Sequence, residues 1–348
     1  MITLLKRRLY TVIIAFLSPI LFSSCSEAGN ARVPATQDTG SLTAKKEEIL
    51  YKPAPIDSAS YQELLGHITN GDSSGRWPVS TALPSEGAIL PFNRIVAYYG
   101  NLYSKNMGIL GELPKDSMIR RLRAEVDKWQ AADTMVKVIP ALHYIAVTAQ
   151  QSPGPGSTYR LRMPFQQIDK VISWANEINA LVFLDVQVGL SDLQKELPPL
   201  EKYLSLPNVH LGIDPEFSMK SGNRPGTVIG TFDAADINYA INFLTGIVKK
   251  NNISPKILIV HRFTQPMVTN YKQIKPNTAV QVVMNMDGWG SSAKKIGTYK
   301  SFIYPQPVEY TGFKIFYKND TKKIGAKTEM QPEQVLKLKP QPIYIQYQ

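Results

Sequence analysis

The stretch ALVFLDVQV, residues 180–188, is apolar throughout except for Asp185 and Gln187. A strand with one wet face alternates apolar with polar residues. A strand covered on both faces reads as a near-continuous hydrophobic run, and such runs belong to parallel sheets wrapped by helices. Seven further runs share this character: RIVAYYG (94–100), VKVIPALHYIAV (136–147), VHLGIDPEF (209–217), KILIVHRF (256–263), AVQVVMNMDG (279–288), GFKIFYKND (312–320) and PIYIQYQ (342–348). Helical spacing fills most of the intervals. Ile119, Leu122, Val126 and Trp129 form one stripe, Ile168, Val171, Ile172 and Ala175 a second, and Ile237, Ala240, Ile241, Leu244, Ile247 and Val248 the cleanest. PEQVLKL (332–338) reads as a short helix before the last run.

Eight such strands alternating with helices predict an α/β protein of the (β/α)8, TIM-like class spanning 94–348. A doubly wound open sheet is the alternative, but it goes with a phosphate loop. GWGSSAKK (288–295) has the spacing of neither Gly-rich phosphate motif and reads as a turn into a helix. Pro164 suits a first helical position, and Ser191 with Gln194 fits a capping box. The eighth run has no helix after it, so a helix at 58–68 is expected to dock where that helix would pack. Residues 58–93, a helix followed by an extended Gly/Ser/Pro-rich stretch, are expected to pack on the barrel.

The barrel makes the polar strand ends informative, because active sites of this fold lie at the C-terminal ends of the strands. That rule collects Tyr98 and Tyr99 from the first run, His143 from the second, and Asp185 with Gln187 from the third. Asp214 and Glu216 end the fourth, His261 and Arg262 the fifth, Asp287 with Trp289 the sixth, Lys318 and Asp320 the seventh, and Gln346 the eighth. Glu216, Asp214 and Asp185 are the candidate catalytic residues. Tyr99, His143, Gln187, His261, Arg262, Asp287, Trp289, Lys318 and Gln346 are candidates for contacting a ligand. Each has a purely structural counterpart: a core histidine, an internal ion pair, a helix cap. His210 starts its strand at the opposite barrel end, and His67 precedes the barrel.

Asp214 and Glu216 stand two apart, so on a strand they face the same side. Two close carboxylates cannot both ionise cheaply, which yields a protonated acid beside an anion. That suits glycosidic bond cleavage, in which a protonated Glu donates to the leaving oxygen. The fourth-strand D-x-E resembles that of chitinase-like and lysozyme-like barrel glycosidases. This resemblance implies Glu216 as the acid and Asp214 as the residue orienting a substrate N-acetyl group. VMNMDG is similar to their M-x-Y-D, with Met286 where Tyr would stand. A wider resemblance, carried by AYYGNLYSKNMGILGE (97–112), PALHYIAV (140–147), LDVQVG (184–189), DPEFSM (214–219), VHRF (260–263), MDGWG (286–290) and GFKIFYKND (312–320), is to a family of bacterial secreted proteins and lipoproteins with a glycosidase-like barrel. It implies the domain limits and the strand-end site rather than a reaction.

The amino terminus supplies an address. MITLLKRRLYTVIIAFLSPILFSSC has a basic start, an apolar core from Leu9 to Phe22 and small residues before Cys25, the only cysteine in the chain. This reads as a secretory signal over 1–24, too short for a stable membrane span. LFSSC looks like a bacterial lipobox, with Cys25 the lipidated residue. Residues 25–57 are small, polar and Pro-containing, a flexible spacer. A lone cysteine at the anchor leaves no disulfide or zinc–thiolate chemistry for the folded part. The net charge of +11 comes from 39 basic against 28 acidic residues and is scattered, without a basic stripe interleaved with aromatics, so nucleic acid is not an expected partner.

Three functions fit. The first is a monomeric, lipid-anchored envelope glycoside hydrolase acting on a glycan, without a cofactor. The second is a metal-dependent hydrolase or isomerase with ligands among His143, Asp185, Asp214, Glu216, His261 and Asp287, although neither H-x-H nor H-E-x-x-H spacing is present. The third is a non-catalytic surface binder of glycan or peptide on a barrel scaffold. The loop QQSPGPGSTYRLRM (150–163) reads either as a lid over the barrel mouth, whose Arg160 and Arg162 would face an acidic or phosphate-bearing ligand, or as a long connection.

Overall fold

The computed structural model describes residues 55–321 and 325–348. The signal segment, Cys25 and nearly all of the spacer lie outside the described residues. Among the described residues, no helix is long and apolar enough to cross a membrane.

All eight apolar runs are strands: β1 Asn93–Gly100, β2 Lys137–Ala149, β3 Leu181–Val186, β4 Val209–Ile213, β5 Lys256–Arg262, β6 Val280–Met286, β7 Tyr310–Ile315 and β8 Tyr344–Tyr347. Each pairs in parallel with the next, and β8 pairs with β1, closing a (β/α)8 barrel. Helices α1 Ser58–Thr69, α2 Lys115–Ala132, α3 Phe165–Asn176, α4 Ala234–Asn251 and α5 Ser292–Thr298 accompany the strands. Their apolar stripes explain why. The α4 face of Ile237, Ala240, Ile241, Leu244, Ile247 and Val248 is buried against the sheet. A capping box of Asp233 and Asp236 starts that helix, and Asn252 in the left-handed conformation stops it.

Several local expectations need correction. Pro164 is the cap before α3 rather than its first residue. Asp192, not Ser191, caps the turn Leu193–Glu196, its carboxylate accepting from the Lys195 N–H. A carboxylate outcompetes a hydroxyl as acceptor, and the Ser191 hydroxyl donates to Glu196 instead. Arg160–Arg162 forms a short antiparallel strand on the end of β2, pairing Val147–Ala149. Its two arginines do not await a ligand, since both grip the buried carboxylate of Glu196, at 2.8 and 2.7 Å.

Helix α1 does not take the place of an eighth outer helix. It lies across the N-terminal mouth of the barrel, where Ile68 and Leu90 join an interior cluster with Ile95, Ala97, Ala141, Phe183, Ile257, Ile259, Val283 and Tyr344. This apolar cluster would meet water at an open mouth, and the helix with the segment after it removes it from solvent. Hydrogen bonds fix the cover. Gln281 accepts from the N–H groups of Ile89 and Leu90 and donates to the Leu90 carbonyl, and Gln341 N–H donates to the Ile68 carbonyl. Buried Arg94 donates to Asp133, Gln341 and the Pro342 carbonyl.

Candidate active site

At the other mouth the interior turns polar. Strands β1, β3, β5 and β7 contribute Tyr99, Asp185, His261 and Lys314 to one interior layer. Barrel interiors stack side chains in fours from alternate strands, usually branched apolar ones; here the four are polar and bound to one another. The Tyr99 hydroxyl donates to Asp185 Oδ2 at 3.0 Å, His261 Nε2 stands 3.2 Å from Asp185 Oδ1, and Lys314 Nζ sits 4.0 Å from the Tyr99 ring centre. His143 from β2 also meets Asp185 Oδ1 at 3.2 Å, with its Nδ1 2.6 Å from the Tyr344 hydroxyl. Room for this comes from Gly212 of β4, because a Cβ there would stand 2.4 Å from Asp185 Oδ1 and 2.5 Å from His143 Nε2. Gly312 of β7 makes the same allowance for Asn285, whose amide oxygen would be 2.6 Å from a Cβ.

Above this layer opens a cavity of about 640 Å³, within the usual range for small-molecule sites. Tyr99, Gln187, Asp214, Glu216, Asp287 and Lys314 are among its polar lining. Phe217, Phe263, Trp289, Phe302 and Phe316 supply aromatic surface. Trp289 is 42% exposed, with Lys294 Nζ 5.0 Å from its ring centre.

The D-x-E reading needs a geometric correction. Strand β4 ends at Ile213, and Pro215–Phe217 is a single 3-10 turn capped by Asp214, whose Oδ1 accepts from the Glu216 N–H at 3.0 Å. Strand alternation therefore does not align the two carboxylates, because proline at 215 breaks the ladder. The turn brings both to the cavity all the same. The Glu216 carbonyl is held by the Gly230 N–H at 2.7 Å, and a Cβ at Gly230 would collide with the backbone of Pro215 and Ser218.

The charges separate the carboxyl groups. Burial, and then the negative charge of Asp287, push Glu216 up to about 7. Burial alone would raise Asp287 as well, but the cations of Lys314 and His261 overcome it and hold the carboxylate below its ordinary value. The contacts are an ion pair of 2.9 Å from Lys314 Nζ and one of 3.1 Å from His261 Nδ1. Burial would depress His261 too, yet the carboxylates of Asp185 and Asp287 on either side push it up to about 10. Burial takes His143 down to about 4 and lifts Asp214 well above the carboxylate range. The main charge partner of Glu216 is thus Asp287 rather than Asp214.

The remaining candidates divide by position. Gln187 lines the cavity between the Tyr99 hydroxyl and Asp214, 3.4 Å from each. Asp185, His143, His261 and Gln346 are fully buried beneath it. Buried Arg262 ties down its own loop through the carbonyls of Thr264, Gln265 and Val268. Lys318 leaves the cavity for Glu112, at 2.8 Å, and buried Asp320 binds Lys295. Sequence reasoning passed over Lys314, Asn285 and Tyr344. Lys314 had a signal: in GFKIF it shares its face with Gly312 and Phe316, a lone cation inside an apolar run. Among the described residues, His143, Asp185 and His261 form the group with metal-ligating geometry.

No protein-family model matches the chain, and no curated protein matches it. Solved structures similar to it include a cellulase, Cel5C_n, at TM-score 0.37 and 12% identity, covering 64% of this chain and 65% of that one. A GH5 xyloglucan-specific endo-β-1,4-glucanase from a metagenomic library, solved with cellotriose, matches at TM-score 0.35 and 12% identity over 72% of this chain and 86% of that one. Burkholderia cenocepacia dihydropteroate synthase with 7,8-dihydropteroate matches at TM-score 0.35 and 10% identity over 77% of this chain and 92% of that one. Likenesses this distant carry no argument about activity. The assignment to the (β/α)8 class rests on the closed parallel sheet itself.

Proposed function

We propose that the chain is a glycoside hydrolase-like enzyme of the bacterial envelope, anchored through lipidated Cys25 and acting on a polysaccharide or other glycan. One observation carries the reading: Glu216 and Asp287 line the same cavity, one carboxyl held near neutrality and the other kept ionised. Divergent environments of this kind assign acid and base roles. Glu216 donates its proton to the glycosidic oxygen as the bond from the anomeric carbon breaks. The Asp287 carboxylate faces the positive charge that develops there, and water then adds its oxygen to the anomeric carbon and gives a proton back to Glu216. Gln187 and Asp214 hold sugar hydroxyls, and aromatic walls such as Trp289 and Phe302 stack on ring faces.

The test is release of reducing ends from a panel of envelope and plant polysaccharides. Glu216→Gln is expected to lower turnover about 10²–10⁴-fold with unchanged circular dichroism. Glycan binding without any product, and indifferent to Glu216→Gln, would replace this reading by that of a surface binder. The anchor is tested separately: Cys25→Ser is expected to abolish labelling by radioactive palmitate and release the protein from membranes.

A further inference from the structure

We infer that His143, Asp185 and His261 form a binding site for one divalent transition-metal ion of the zinc class, one layer beneath the cavity. One ligand atom from each of the three lies within 4.8 Å of the others, all on fully buried side chains, and the atoms that meet are His143 Nε2, Asp185 Oδ1 and His261 Nε2. Both imidazole nitrogens stand 3.2 Å from Asp185 Oδ1. Ligands bound tetrahedrally at zinc distances are separated by about 3.3 Å, so the spacing that suits a hydrogen bond also suits the edge of a coordination polyhedron. Two imidazoles and a carboxylate are a donor set for zinc, iron or manganese.

The surroundings point the same way. Ligands of a metal have their other polar atom held by a second partner, and all three do here. Asp287 takes His261 Nδ1 at 3.1 Å, the Tyr344 hydroxyl meets His143 Nδ1 at 2.6 Å, and the Tyr99 hydroxyl donates to Asp185 Oδ2 at 3.0 Å. Each partner leaves the inward donor facing the others. Gly212 clears the space beside them, since the point its Cβ would occupy lies 2.4 and 2.5 Å from two of the donors, close to ion–ligand lengths.

Gln346 adds a separate sign. Its Nε2 faces His143 Nδ1 at 3.0 Å, while its buried Oε1 has no hydrogen-bond partner. A half-turn of the amide lets Oε1 accept from Nδ1–H, the tautomer that frees Nε2 for an ion. At His261 the ion displaces the Nε2 proton to solvent, while at His143 the proton moves from Nε2 to Nδ1, where the turned amide accepts it. None of the three ligands lines the cavity. The ion therefore ties β2, β3 and β5 together and steadies Asp287 through His261, without touching a ligand above. The inference stands whether or not the cavity cleaves glycosidic bonds.

Elemental analysis of the full chain, purified without chelators, should find about one zinc-class ion per molecule. Stripping the ion and adding zinc chloride should raise the thermal midpoint by several degrees, and cobalt(II) should give the visible absorption of a four-coordinate site. Asp185→Asn and His261→Gln should lose the ion, whereas Glu216→Gln should retain it whatever its effect on turnover. Metal-free wild-type protein whose midpoint ignores added zinc, manganese and iron(II) overturns the inference, as does stoichiometric binding that survives Asp185→Asn. Should the variants fail to fold, the wild-type measurements decide it alone.

Discussion

The two ends of the barrel bury similar chemistry and use it differently. At the N-terminal end the buried polar side chains bond chiefly to backbone. Lys256 Nζ donates to the carbonyls of Leu206, Pro207 and Val209, Gln281 clamps residues 89 and 90, and Arg94 reaches Pro342 as well as Asp133. At the C-terminal end Asp185, His261, Asp287, Lys314 and Tyr99 bond to one another beneath an open cavity that the last three line. Polar groups that close their hydrogen bonds on the chain itself hold the structure together. Groups that bond to one another at the edge of a cavity leave charge beside whatever enters it.

Substitutions can break or sharpen this contrast. The largest loss of stability is expected from Arg94→Ala at the closed end, about 3–5 kcal/mol, because Asp133 keeps its burial and loses its strongest partner. Urea denaturation measures it, and turnover should be untouched; an equal loss of activity would mean that the two ends are not independent. Gly212→Ala comes next, at about 1–3 kcal/mol, since its methyl group meets Asp185 and His143 well inside contact distance. That change should also impair the open end, so thermal melts and turnover should fall together.

A third effect distinguishes the ends by pH. Glu216 titrates near 7 in the folded protein and at about 4.3 in an unfolded chain. Between those values the unfolded state gives up its proton first, so the folded state loses stability as pH rises from about 4 through 7, and the loss is complete above that. Wild type should therefore fall by about 3 kcal/mol relative to Glu216→Gln between pH 4.5 and pH 8, read from denaturation curves at each pH. Turnover should decline over the upper part of the same window as the acid loses its proton. Parallel curves for the two proteins would show Glu216 to be ordinary. The smallest effect is a gain: Gly66→Ala in α1, where nothing lies within 4 Å, should add about 0.5–1 kcal/mol and leave turnover alone.

How far the site was readable depends on the residue. Tyr99, Gln187, Asp214, Glu216, Asp287 and Trp289 line the cavity and were visible as polar or aromatic groups closing apolar runs. Lys314 was passed over in favour of the charges that close its run, Lys318 and Asp320, which sit past the end of β7 and turn to Glu112 and Lys295. Arg160 and Arg162 misled for the opposite reason. A loop rich in Gly and Pro reads as free, and the partner of both arginines, Glu196, lies 34 to 36 positions away. The metal-ligating group had no readable spacing at all: 42 positions separate His143 from Asp185, and 76 separate Asp185 from His261.

What the amino-acid order determined alone was the architecture, since eight runs apolar on both faces with amphipathic helices between them bury their surfaces in a helix-wrapped parallel sheet, and without a phosphate loop the closed barrel is the form that fits. It also determined which strand ends carry charge. Only the tertiary structure decided which of those charges meet, that α1 seals the floor instead of joining the outer ring, and that Asp287 is the counterpart of Glu216. The reason is one of range. Periodicity is a local property set by backbone geometry, whereas pairing across the barrel depends on register and on the absence of side chains at Gly212 and Gly312, which no single segment contains.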